Sequence, residues 1–169
     1  MDYTEKTSYE TDPVESLYDA MLAFAKAYDN LQYVLQEELQ IELSNELRRA
    51  MYRPVQRTPS SLPISMYEVG LIHHPNKSVA GRYSINEKKL QKAIKTRETD
   101  VQALLVMEGV GILPSLCDKL SELREMELKY EEEVEDIGNV FVYMYSKAVR
   151  NAILRFLNEC RRLIALWSP

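Results

Sequence analysis

Glycine, cysteine and histidine are scarce in this chain, and each scarcity removes a class of answers. Five glycines and seven prolines occur among 169 residues, most of them between Pro54 and Pro114, so the flanking segments lack breakers and read as long helices. The two cysteines, Cys117 and Cys160, have no second ligand at metal spacing. They give no support to a disulfide framework or zinc site and read as buried thiols. The two histidines are the neighbours His73 and His74. Adjacent side chains diverge, and no acidic residue or cysteine lies at motif distance, so they read as loop residues rather than ligands. No apolar run approaches the roughly 18 residues that a membrane span requires. Met1 to Asp12 is polar and acidic, which excludes the basic-then-apolar order of a cleaved signal peptide. A net charge of −5 argues against a nucleic-acid surface, which needs clustered Lys and Arg in excess.

What is present is apolar material, 46% of the residues, enough for one domain with a real core. Residues 1–12 read as a disordered tail and residues 13–169 as a single elongated helical domain, with a hairpin insert at about 64–86. Asp12-Pro13-Val14-Glu15 is a helix start: Asp12 accepts from exposed amides, and Pro13 suits the first helical position. Val14, Leu17, Met21, Phe24, Tyr28, Leu31 and Leu35 then alternate spacings of three and four, a seam that must pack on something. The spacing shifts past Leu39, and Ser44-Asn45 can cap a fresh turn, so a break is expected at residues 42–45.

After Pro54, Pro59 and Pro63, residues 65–72 and 81–85 read as two short strands joined by a polar loop. A two-stranded ribbon is marginal alone and needs a helix across it. Asn86 caps a helix containing Leu90, Ala93 and Ile94, and Thr99-Asp100-Val101-Gln102 is a capping-box pattern for the next. Gly109-Val110-Gly111 breaks the chain, and a long helix follows from Pro114. From Val140 the sequence is apolar on more than one face, with a stripe of Ala148, Ala152, Phe156, Cys160, Leu163 and Trp167; a second chain is a natural cover for it. The fold class read from this pattern is mostly α with a small β-hairpin (α+β). Long antiparallel helices, in a bundle or coiled coil, flank a two-stranded ribbon and two short helices.

Catalytic chemistry finds no foothold. Gly109-Val110-Gly111 lacks the preceding strand and third glycine of a phosphate-cradling turn, so helix termination is the reading. Glu131-Glu132-Glu133 with Glu135 and Asp136 spreads around a helix axis and reads as a solvated face. Ser65, Ser84 and Ser115 have no neighbouring histidine to activate them. The reading is a non-enzymatic protein without metal or cofactor. Its expected protein interface comprises Leu17, Met21, Phe24, Leu31, Phe141, Tyr145, Phe156, Leu163 and Trp167.

Leu47-Arg48-Arg49, Val69-Gly70-Leu71, Gly81-Arg82-Tyr83-Ser84-Ile85, Lys89-Leu90, Ala93-Ile94, Val101-Gln102-Ala103-Leu104-Leu105 and Gly111-Ile112-Leu113 follow one another in an order that resembles the C-terminal region of flagellar filament-capping proteins, the hook-associated protein 2 family. The resemblance covers roughly residues 14–123, and its specificity lies in the order of short motifs. It implies a structural or assembly protein of the bacterial flagellum, exported without a cleaved signal peptide and acting outside the cell. The implied partners are itself, as a homo-oligomer, and flagellin or other hook-associated proteins, with no nucleic acid and no membrane insertion. A cytosolic helical secretion chaperone or adaptor is the alternative.

Overall fold

The computed structural model describes the backbone of residues 13–73, 83–137 and 146–167. The expected tail, 1–12, lies outside these residues. The described elements are the helices α1 (Pro13–Glu37) and α2 (Ile41–Met51), the short strands β1 (Leu71–His73) and β2 (Tyr83–Ile85), and the helices α3 (Glu87–Thr96), α4 (Glu98–Val106), α5 (Ile112–Ile137) and α6 (Lys147–Trp167).

The α+β architecture is corrected by this arrangement. Six helices hold 74% of the described residues, and no sheet organises the molecule. The segment expected as an eight-residue strand turns back on itself. Met66–Gly70 are turns, with Glu68 N–H donating to the Ser65 carbonyl at 3.1 Å and Leu71 N–H to the Met66 carbonyl at 3.0 Å. Ser65 donates through its N–H and its hydroxyl to the Glu68 carboxylate, and such local bonds compete directly with strand pairing. Strand pairing here covers only three residue pairs, Leu71 with Ile85 through His73 with Tyr83, beside an isolated bridge of Val55 with Ile64, and the loop joining the strands lies outside the described residues. Gly70 fits this turn because its φ is +95° and an added Cβ would stand 2.9 Å from the Asn86 carbonyl oxygen.

The seam of α1 is covered from within the chain. α6 packs mainly against α1 and secondarily against α5. Met21, Phe24, Tyr28, Leu31 and Leu35 of α1 are fully buried, as are Phe156, Leu157, Cys160 and Leu163 of α6. Phe156 is the hinge of this contact: its ring lies 5.3 Å from Phe24 in a tilted arrangement and 5.5 Å from Tyr28 edge-on. Leu90 and Ile94 of α3, Val101, Leu104 and Leu105 of α4, and Leu113, Leu116 and Leu120 of α5 close one continuous core. Each large side chain there contributes about 1.5–3 kcal/mol before chain entropy is subtracted. The picture of long helices flanking a ribbon therefore gives way to six helices around a shared interior.

Local signals resolve unevenly. The Asn86 side chain caps α3 by accepting from Lys89 N–H at 3.1 Å. The capping box at Thr99 is not formed: α4 begins at Glu98 behind Arg97, with no side-chain cap bond. Asp100 instead pairs with Arg57 at 3.5 Å and Arg97 at 3.4 Å. The break after α1 falls at 38–40, ahead of the expected 42–45.

Candidate functional site

That break has a specific geometry. Leu39 N–H donates to the Gln36 carbonyl at 3.2 Å, and Gln40 N–H reaches back to the Leu35 carbonyl at 2.7 Å. This is a Schellman termination with Leu39 at the left-handed position. Leu39 has φ +57°, and among the described residues it alone, glycines aside, has a positive φ. A side chain there clashes with the following carbonyl, and glycine is the usual occupant. Leu39 is also 80% exposed, and Ile41, two residues on, is exposed as well. The corner thus combines backbone strain with apolar surface in water, neither of which stabilises the fold.

Beneath this corner lies a buried polar knot. Gln32 is fully buried and donates through Nε2 to the Tyr28 hydroxyl at 2.9 Å and to the Ser44 carbonyl at 3.1 Å. The Ser44 hydroxyl donates to Gln32 Oε1. The knot fixes α2 on α1 and sets the angle at which Leu39 is displayed. A 2.6 Å ion pair from Lys119 of α5 to Glu46 anchors α2 from its other side.

Two further places have site-like features. An open groove of about 310 Å³ runs between the ends of α4 and α6, lined by Arg57, Thr99, Gln102, Ala103, Val106, Met107 and Trp167. Gln102 Nε2 donates to the Trp167 carbonyl at 3.2 Å and ties its walls together. The second is a pair of free thiols, Cys117 of α5 and Cys160 of α6, on two helices that pack together, each of which shifts the ionisation of the other. Cys160, with the Arg161 charge, holds the Cys117 thiol below its ordinary value against burial and Asp118. Burial first, then Cys117 and neighbouring negative charge, pushes Cys160 well above it.

The residues expected to form an interface are distributed differently. Met21, Phe24, Leu31, Phe156 and Leu163 are fully buried and Trp167 nearly so, all inside the one chain. Leu17 is partly buried against the same core, and Phe141 and Tyr145 lie outside the described residues. Ala148 is exposed, and Val149 takes its place on the buried stripe. Gly109-Val110-Gly111 ends α4, with Val110 and Gly111 N–H both returning to the Met107 carbonyl. Among the described residues no cluster of three His, Cys, Asp or Glu side chains is placed to hold a metal, and no helix is long and apolar enough to cross a membrane. Sequence reasoning missed the Leu39 corner, since a leucine carries no turn signal, and missed the thiol pair, although each cysteine falls on the apolar stripe of its helix. Comparison with protein families, with curated proteins and with solved structures finds no match.

Proposed function

We propose that this is a non-enzymatic structural or assembly protein that binds other proteins through the corner between α1 and α2. The observation that carries the reading is Leu39, held at φ +57° and 80% exposed. Strained backbone persists where it serves a function, and exposed apolar surface marks contact sites. Because the seams of α1 and α6 are spent on the chain's own core, assembly proceeds through such corners rather than by pairing of long helices.

The system in which it acts is proposed from the ordered motif series alone: a component of the bacterial flagellum similar to the filament cap, exported without a cleaved signal peptide, with itself, flagellin or another hook-associated protein as partner. The chaperone alternative draws on an uncovered apolar face of the last helix, and the described part of that face is buried. Cell fractionation separates the two, since a cap-like component sediments with sheared filaments and a chaperone stays in the cytosol.

The corner itself is tested with Leu39→Gly. Relief of left-handed strain offsets the added freedom of the unfolded chain, so stability should be unchanged or higher by up to about 1 kcal/mol. Crosslinking to flagellin, to hook-associated proteins or to itself should fall at least tenfold. A native chain that remains strictly monomeric and captures none of these proteins refutes the proposal, as does a Leu39→Gly chain that binds as well as the native one.

A further inference from the structure

We propose that the groove between the ends of α4 and α6 is a binding site for a small amphipathic carboxylate, one carboxyl group on a short alkyl or aryl body. The site is separate from the α1–α2 corner and stands or falls independently of it. Its apolar lining includes Val106 at the end of α4, Met107 just beyond, and Trp167 at the end of α6. Its polar lining is Arg57, Thr99 and Gln102, a set rich in donors. Gln102 Nε2 donates to the Trp167 carbonyl at 3.2 Å and holds the two helix ends at a fixed spacing. The volume of about 310 Å³ is at the small end of ligand pockets, roughly 300–1,000 Å³, which suits one ring or one short chain.

Two features of the lining call for an anionic acceptor. Trp167 is 7% exposed, and its indole Nε1–H is buried with no hydrogen-bond partner among the described residues. An indole nitrogen only donates, so an acceptor oxygen is what satisfies it. Because the indole itself lines the groove, a modest ring rotation turns that N–H onto an oxygen held there. The second feature is a charge imbalance at the lip. Asp100 meets Arg57 at 3.5 Å and Arg97 at 3.4 Å, so one carboxylate stands between two guanidiniums that stay cationic at any working pH. Glu98, on the same turn of α4, is off the lining and pairs with neither. Arg57 keeps further N–H groups for a second carboxylate. It is also the one charged side chain lining the groove among the described residues, which favours a single carboxylate over a polyanion.

The test is titration of the full chain with sodium octanoate below its micelle threshold, with octanol as the uncharged control. Trp167, the one tryptophan, reports from the groove by its fluorescence. The expected result is a saturable shift of its emission at one octanoate per chain, with helicity unchanged and octanol at least tenfold weaker. Arg57→Gln removes only a partly exposed ion pair and should fold normally. It should weaken octanoate at least tenfold and leave octanol as it was. Met107→Asp, at an exposed position of the lining, sets a like charge against the carboxylate and should do the same to octanoate. Emission that does not shift, octanol binding as tightly as octanoate, uptake of several octanoates per chain, helicity lost on titration, or full octanoate affinity in a folded Arg57→Gln or Met107→Asp chain would each overturn the proposal.

Discussion

Removing one partner of the buried knot should cost more than removing both. Gln32 and Ser44 are 0% and 2% exposed, so water cannot replace a lost bond at either side chain. Ser44→Ala strips Gln32 Oε1 of its donor, and an unsatisfied buried acceptor costs about 1–3 kcal/mol. Gln32→Leu leaves the Ser44 hydroxyl without that acceptor, at a similar cost. In the double variant no orphan remains from this bond, and two apolar groups meet where the knot stood. The double variant should therefore lose no more than the worse single one, which sets the coupling energy at about 1–3 kcal/mol. Urea unfolding can be followed by the fluorescence of Trp167, the one tryptophan, which is buried in the fold. For a chain of this length each kcal/mol moves Tm by about 2–4 °C, so thermal melts give an independent reading. Single losses that add to the double loss within about 0.5 kcal/mol would show that the two side chains do not act as a pair.

Other perturbations follow from the same geometry. Phe156→Ala opens a cavity between Phe24 and Tyr28 and should destabilise by about 3–5 kcal/mol, measured by urea midpoint; a loss under about 1 kcal/mol would mean α6 does not seat on α1 as described. Gly70→Ala meets backbone at 2.9 Å with φ at +95° and should cost at least about 1 kcal/mol, whereas Gly109→Ala, with φ +77° but open space around it, should cost less. Burial opposes ionisation of Glu68, but bonds from the Ser65 hydroxyl and backbone outweigh it and hold the carboxyl below its ordinary value. A depressed folded-state value contributes stability above the unfolded value that is lost as pH falls through the folded one. Glu68→Gln should thus flatten the acid limb of Tm against pH, and an unchanged limb would remove Glu68 as a contributor.

What could be read without coordinates, and what could not, divides by range. The α3 cap was legible because Asn86 acts on a backbone amide three residues away, and the end of α4 because glycine carries its own conformational signature. The apolar stripes of α1 and α6 were legible as stripes, but periodicity fixes a face and not its cover. That Phe156 meets Phe24 and Tyr28 in the same chain is a tertiary fact, which is why the expected interface residues turned out to be core. Residues 66–70 read as part of a strand because Met66, Tyr67 and Val69 lead into the apolar Leu71 and Ile72, but the Ser65–Glu68 bonds decide for a turn. Gln32 is a polar helix residue whose burial depends on Ser44 of the distant α2, which no local pattern shows. The Leu39 termination carries no local signal at all, and the two cysteines show locally only as members of apolar stripes.

The partnership of the first and last helices also has a consequence for biosynthesis. Phe24 and Phe156 meet from far apart in the sequence, so the face of α1 that packs on α6 has no mate until α6 is made. At about 5–20 residues per second, the greasy side of α1 waits roughly 6–26 s for Phe156 to be added. Closure of that face is thereby postponed until α6 has been synthesised, and a product stopped before α6 would present an open flank to proteases and to chaperones.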